Sequence, residues 1–168
     1  MVFLLILGID PGLARLGFGL VNKKGNKFSV VEYGTIMTPS DKDDISRLQM
    51  IHEDIHQIIK KYKPDQMAVE ELFFNKNVKT AIRVGQARGV VLLSGSEANL
   101  KVSEYTPLQI KQAVVGYGRA QKSQVQQMVK ALLNLKEIPD SDDAADALAV
   151  SICHGHCHGT QKKWGQSL

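Results

Sequence analysis

The chain predicts an α/β domain: one mixed sheet with helices packed against it. Three observations lead there. Residues 3–9 form a continuous apolar run, as expected of a central strand covered on both faces. Two more strand-like stretches, 16–21 and 28–36, follow at hairpin distance. An amphipathic helical pattern then leads into a short apolar strand, which is how a parallel crossover is built.

Taken in order, Lys23-Lys-Gly-Asn26 supplies turn residues, so the second and third strands should form a hairpin. Only a few residues join the first strand to the second, which also implies antiparallel pairing. Residues 38–44 form a polar loop rich in helix-capping side chains. Ile45, Leu48, Ile51, Ile55, Ile58, Ile59 and Tyr62 then recur at spacings of three and four, one face of a helix closed by Pro64. Residues 66–70 make a short strand that should lie parallel to its neighbour. Residues 78–98 read as a long helix with Ala81, Gly85 and Gly89 spaced by four on one face. Each glycine costs a helix about 1 kcal/mol relative to alanine, so the stripe implies a closely approaching helix, from this domain or from a second subunit. Residues 101–105 are a fifth strand. Thr106-Pro107 reads as an N-cap and first helical position for a helix to Val115. A glycine-punctuated loop, 116–120, precedes a helix over 122–135. Pro139-Asp-Ser-Asp-Asp143 caps a last helix expected to run to about Cys153. There is no internal repeat or low-complexity tract.

With 168 residues, the chain suits one domain with a sizeable core. Its composition, 43% hydrophobic and 23% charged, excludes a disordered polymer. The net charge of +4 is compatible with a nucleic-acid partner without establishing one. Cys153 and Cys157 lie too close together for a disulfide framework, which points to a reducing compartment and a cytoplasmic protein. The apolar N-terminus lacks a basic lead and a small-residue cleavage site, and it stops at Gly8 and Asp10, too short to span a bilayer. No membrane association is expected.

The chemistry lies in carboxylates. Asp10 ends the first strand inside Gly8-Ile-Asp-Pro-Gly12, where Pro11 and Gly12 turn the chain. Glu70 ends another strand, and alternation sends Glu70 and Glu71 to opposite faces. Asp143 and Asp146, three residues apart, share one face of the last helix among small alanines. Each acid alone has an ordinary explanation: a turn cap for Asp10, a solvated strand end for Glu70, favourable charge at a helix N-terminus for Asp143. Asp146 fits the last explanation less well, because it lies further in, among apolar residues. Together the four could converge, and clustered carboxylates need cations or raised pKa values. Mg²⁺ or Mn²⁺ suits oxygen-only ligands. A pair of such ions can activate a water and stabilise the leaving oxygen of a phosphoryl displacement. No serine–histidine or cysteine–histidine arrangement competes, nor does a Walker-type loop.

At these residues the chain resembles the RuvC family of Holliday-junction resolvases. Gly8-Ile-Asp-Pro-Gly12, Val69-Glu70, Gly85-Gln-Ala-Arg-Gly89, Val114-Val-Gly116, Lys122-Ser-Gln-Val125 and Asp143-Ala-Ala-Asp-Ala-Leu148 match its motifs in order, over residues 5–158. The resemblance implies a ribonuclease H-like fold, a mixed sheet with helices on both faces. Residues 1–158 would form a single nuclease domain and 159–168 a short tail. It implies a homodimer that nicks four-way DNA junctions symmetrically in recombination and repair, leaving 5′-phosphate and 3′-hydroxyl ends. The cofactor would be Mg²⁺, with Mn²⁺ able to substitute, two ions per site; the RuvA–RuvB branch-migration complex would be a partner. Asp10, Glu70, Asp143 and Asp146 fall on the family's catalytic, metal-holding acids, Lys111 and Lys122 on DNA-contacting lysines, and Phe73 on an aromatic acting at the junction centre. Phe74 departs from the family pattern. The helix bearing Ala81, Gly85 and Gly89 matches the family's dimer helix, which favours the intersubunit reading of the stripe.

The residues fit a DNA partner on their own terms. Phe73 and Phe74 lie in a polar loop with Asn75, Lys76, Asn77 and Lys79, where aromatics can stack on unpaired bases for about 1–3 kcal/mol per base. One of the pair could equally anchor the loop to the core. Lys111, Arg119, Lys122 and Lys130 are candidates for phosphate contacts. Cys153-His-Gly-His-Cys-His158 has the composition of a zinc site but no established spacing. Two other functions stay open. One is a junction-binding scaffold that does not cleave. The other is a phosphate-binding, ATPase-like domain, because Asp10-Pro-Gly12 also resembles the first phosphate motif of actin and the sugar kinases; those proteins need a second lobe for which this chain is too short.

Overall fold

The computed structural model describes residues 3–71 and 77–164, with side chains described through 158. Ten elements follow the chain: β1 (Phe3–Asp10), β2 (Arg15–Lys24), β3 (Lys27–Met37), α1 (Asp44–Tyr62), β4 (Gln66–Glu70), α2 (Val78–Glu97), β5 (Lys101–Tyr105), α3 (Pro107–Val115), α4 (Lys122–Leu132) and α5 (Asp142–Trp164). The sheet order is β3-β2-β1-β4-β5. The pairs β1–β2 and β2–β3 are antiparallel, and β1–β4 and β4–β5 are parallel. The mixed sheet read from the sequence is therefore the one observed.

Local chemistry sets the boundaries. The β2–β3 hairpin closes through Gly25 and Asn26, with Gly25 at φ 60°, as a tight two-residue loop requires. Asp43 caps α1 by accepting from the Ser46 backbone N–H at 2.9 Å. Lys63 ends α1 in the left-handed region, and Pro64 prevents its continuation. Thr106 and Gln109 form a reciprocal capping box on α3, with Pro107 inside it and Gly116 at φ 97° closing the helix.

Two helices end elsewhere than expected. α4 stops at Leu132, because Asn134 turns left-handed and Leu135 N–H bonds back to the Lys130 carbonyl. α5 continues past Cys153 to Trp164. Gly155 is a packing point and not a terminator: a Cβ there would come within 2.3 Å of the Phe28 ring. The Lys23 ammonium also donates to the Gly155 carbonyl.

β1, β4 and much of β2 are buried on both faces because helices cover both. Leu7, Ile9, Leu16, Leu20, Met67 and Val69 pack with Ile51 and Ile55 of α1 and with Ala87 and Val91 of α2. Ile6, Val21 and Ala68 face the other way, onto Ile110, Val125 and the apolar side of α5. Period-two alternation along β1 thus sends Leu7 and Ile9 to α1 and α2, and Ile6, Gly8 and Asp10 to α5.

Candidate active site

Strand register brings the first two acids together. β1 and β4 are parallel with Ile9 opposite Val69, so the next residues, Asp10 and Glu70, end adjacent strands side by side. Both point to the α5 face, since Ile9 and Val69 are buried on the other. Glu71 follows on the opposite face, as alternation requires.

The helical pair reaches them because the sheet beneath α5 is paved with glycine. Gly17 pairs with Asp10, and Gly19 with Gly8. A Cβ on Gly17 would lie 1.9 Å from the Asp143 carbonyl oxygen, and one on Gly8 would lie 2.3 Å from that of Ala147. The first turns of α5 therefore rest directly on strand backbone, with Ala144, Ala145 and Ala147 buried at the contact. Ser141 fixes the entry: its hydroxyl bonds Thr35 Oγ1 at 2.8 Å and accepts from the Ala144 N–H at 3.3 Å.

Crowding four acids has an electrostatic consequence. Burial, then the Glu70 and Asp146 charges, push the Asp10 carboxyl up to about 9. Asp10 thus keeps its proton at neutral pH and donates it in a hydrogen bond to Glu70, which in turn pulls Glu70 down. Burial nevertheless leaves Glu70 above its ordinary value, opposed also by Lys122 and Lys111. Asp146 is raised chiefly by burial, against the pull of Lys122. The Lys122 ammonium lies 3.2 Å from Asp142 and 3.3 Å from Asp146. Burial would lower Lys122, but these carboxylates outweigh it and hold the ammonium above its ordinary range. Arg15 approaches Asp143 at 3.9 Å from an exposed position. The oxygen-only donor set, short of positive charge, fits a hard divalent cation, whose charge would offset the burial and repulsion that together keep Asp10 protonated.

Two clefts meet at Glu70 and Pro107. One is walled by Asp10, Glu71 and Arg88, and the other by Lys111, Lys122 and Asp146. The second offers two cations beside the acids, which suits a polyanionic chain laid across them.

Other expected residues separate. Lys79 is exposed in the first turn of α2, and Arg119 is exposed in the loop after α3. Lys130 lies half-buried in the last turn of α4. Phe73 and Phe74 lie outside the described residues. The stripe on α2 is not one surface. Ala81 is only 6% exposed and packs inside the chain's own fold, Gly85 is half-buried, and a Cβ on Gly89 would meet nothing within 4 Å. The open side of α2 carries Ile82 and Leu93 at 56% and 53% exposure with Gly89 between them. The Cys153–His158 run does not gather as a ligand set among the described residues. Cys153 is buried against the Gln109 carbonyl, and His154 bonds Tyr105 and Gln66 at 2.8 and 2.6 Å. Sequence reading missed the glycine seat at Gly8, Gly17 and Gly19, although glycines two apart on strands were visible. It also missed Lys122 as the counter-charge of the acids, and Arg15.

Comparison with known proteins adds a family. A family model described as crossover junction endodeoxyribonuclease RuvC matches residues 6–154. A crossover junction endodeoxyribonuclease RuvC from Halothermothrix orenii is 67% identical over 162 residues, covering 96% of this chain and 98% of the relative. One from Alkaliphilus oremlandii is 60% identical over 153 residues, covering 91% and 93%. Among solved structures, Thermus thermophilus RuvC in complex with a Holliday junction substrate superposes with a TM-score of 0.89 at 35% identity, covering 94% of this chain and 96% of that one. The yeast mitochondrial Holliday junction resolvase shares the fold alone, with a TM-score of 0.67 at 12% identity, covering 95% and 82%.

Proposed function

The chain belongs to the RuvC family of crossover junction endodeoxyribonucleases, and we propose on that premise that it resolves four-way DNA junctions by paired, symmetric, metal-dependent phosphodiester hydrolysis. Its fold is ribonuclease H-like. The products are 5′-phosphate and 3′-hydroxyl ends, and the setting is recombination and repair. The observation that carries this reading is the pairing of Asp10 with Glu70 on one sheet face, toward Asp143 and Asp146 on α5. A junction-binding scaffold would have no use for four half-buried acids, one of which is forced by burial and by its neighbours' charges to hold a proton.

Asp10, Glu70, Asp143 and Asp146 would hold the metal, Mg²⁺ or in its place Mn²⁺, as two ions. When bound, the ions supply the acidity that activates a water and the charge that stabilises the leaving oxygen. The chain's own groups do the rest. Asp10 gives up its proton as positive charge enters, and rigid strand ends keep Asp10 and Glu70 in place. Lys122 holds Asp146 and Asp142, and with Lys111 it lines the cleft where a phosphate backbone would lie. Lys79, Arg119, Phe73 and Phe74 would also contact DNA.

The partner is branched DNA. A homodimer would set two sites on opposite strands, and the open side of α2, with Ile82, Gly89 and Leu93, supplies an apolar face of the right kind. The RuvA–RuvB complex would deliver the junction. Residues 1–158 form the nuclease unit in this reading, with 159–168 as its tail. Among the described residues no helix is long and apolar enough to cross a membrane, and a cytoplasmic setting would suit action on DNA.

The test is nicking of a labelled four-way junction beside a linear duplex of the same sequence, with Mg²⁺ and with EDTA. Paired, metal-dependent nicks restricted to the junction are expected, and Asp10→Asn should remove them while leaving junction binding intact. Tight junction binding without cuts in Mg²⁺ or Mn²⁺, over several sequences, would replace the nuclease with a scaffold.

A further inference from the structure

On the sheet face opposite α5, α1 and α2 bring together three side chains that junction cleavage does not use. His52 and His56 lie one turn apart on α1, and Glu97 is the last residue of α2. Both imidazole Nε2 atoms converge on one carboxylate oxygen, Glu97 Oε2, at 2.8 and 2.9 Å. The two rings lie 4.4 Å apart, tilted by 55°. One ligand atom from each residue falls within 4.8 Å of the others. The side chains are 37%, 35% and 44% exposed, so an ion in solution reaches them without opening the fold.

We propose that His52, His56 and Glu97 form a binding site for a transition-metal dication of the Zn²⁺ class, which clamps α1 to the C-terminal end of α2.

The argument rests on geometry and donor chemistry. Histidines at i and i+4 share one helical face, and a third ligand from another element closes a three-sided site. Metal–nitrogen and metal–oxygen distances near 2.0–2.2 Å put tetrahedral ligand atoms about 3.4 Å apart. The separations here, 2.8 Å at the closest pairs and no more than 4.8 Å at the widest, bracket that figure. Side-chain rotations that move the ligand atoms by about 1 Å therefore suffice. Each imidazole would move its proton to Nδ1, so that the Nε2 lone pair faces the ion. The hydrogen bonds from His52 and His56 already hold the Glu97 carboxyl below its usual range, so the third ligand is an anion before metal arrives. Three protein ligands leave a fourth position for water.

The donor set also decides the metal. Two imidazole nitrogens disfavour Mg²⁺, which the all-oxygen cluster around Asp10 prefers, and favour Zn²⁺, Ni²⁺ or Cu²⁺. The chain therefore carries two metal sites of different taste. The consequence is mechanical. α1 and α2 already share an apolar seam through Ile51, Ile55 and Val91, and the clamp adds a polar tie at the end of α2, whose open face is exposed to partners.

The experiment is calorimetric titration of the full chain with Zn²⁺ in excess Mg²⁺, which occupies the oxygen-only cluster. His52→Ala, His56→Ala, Glu97→Gln and Cys157→Ser are compared with the unaltered chain. One equivalent should bind, unchanged in Cys157→Ser and weakened by more than about tenfold in each of the other three. Cu²⁺ in place of Zn²⁺ should give an electron paramagnetic resonance spectrum split by two imidazole nitrogens, reduced to one in either histidine variant. Zinc should also raise the melting temperature of the unaltered chain and not of His52→Ala, whose Mg²⁺-supported junction nicking stays normal. No zinc binding by the unaltered chain, or isotherms that do not change in His52→Ala and His56→Ala, would overturn the proposal.

Discussion

In the metal-free protein, Asp10→Asn should raise stability at neutral pH even as it ends cleavage. The carboxyl is pushed from 3.8 to about 9 by burial and by Glu70, Asp146 and Asp143. The folded chain therefore keeps a proton that the unfolded chain has released. For a carboxyl raised in this way, the contribution to stability is complete below pH 3.8 and is lost as pH climbs through the window up to about 9. Neutral pH lies about three units into that window, and each unit is worth about 1.4 kcal/mol, so the ceiling on the loss is ~4 kcal/mol. Asparagine has nothing to titrate, and its amide can still donate to Glu70. The variant should match the unaltered chain near pH 4 and exceed it by about 2–4 kcal/mol near pH 7, which for a chain of this size is a rise of roughly 5–15 °C in Tm. Thermal unfolding followed by circular dichroism, in EDTA and in half-unit steps from pH 4 to 8, reads this directly. Saturating Mg²⁺ should shrink or reverse the gap, because it gives the carboxylate form a partner. Parallel curves for the two proteins across the whole range in EDTA would refute the reasoning, since Asp10 would then carry no electrostatic load.

Four further outcomes are expected. Lys122→Ala removes the ammonium from 3.2 and 3.3 Å of Asp142 and Asp146; nicking should fall at least about tenfold, and the salt slope of junction binding should drop by about one, so an unchanged slope in fluorescence anisotropy counts against a phosphate contact. Gly17→Ala sets a methyl group 1.9 Å from the Asp143 carbonyl; a loss of about 2 kcal/mol or more in urea unfolding is expected, and a normal midpoint with normal nicking would remove the glycine seat from the account. Ile82→Glu, at an exposed position on α2, should halve the sedimenting mass without lowering the monomer's Tm, whereas an unaltered mass would place the dimer face elsewhere. Burial pushes the His154 imidazole down to about 4, so its share of stability is present above pH 6.5 and lost as pH falls toward 4; His154→Gln should flatten that acid limb, and an identical limb in both proteins would argue against a buried neutral ring.

Much of the site was legible because residue type and local element were enough. Asp10 and Glu70 stand at strand ends bounded by turn residues, and Asp143 and Asp146 stand three apart on a helix, all of it short-range information. Their convergence was not legible by periodicity. It depends on β4 crossing over to lie beside β1, so that Ile9 meets Val69, and a two-residue period says nothing about which strands become neighbours. The same limit explains Ala81. A spacing of four drifts around a helix of 3.6 residues per turn, so residues 81, 85 and 89 pass from the buried side of α2 to its open side. The run of α5 past Cys153 was not legible for a related reason: the Phe28 ring that packs against Gly155 comes from β3, far away in sequence.

The glycines of β1 and β2 carry the deeper connection between fold and chemistry. Glycine inside a strand weakens it, so Gly8, Gly17 and Gly19 look like defects on their own strands. Their compensation lies on another element, because α5 can approach the sheet only where side chains are missing. That approach brings Asp143 and Asp146 toward Asp10, and it also raises the Asp10 carboxyl. The same close packing therefore builds the acid cluster and makes it electrostatically costly. Larger residues at 17 or 19 would favour the strands, lift α5 and relax the repulsion, and in doing so would draw Asp143 and Asp146 away from Asp10 and Glu70.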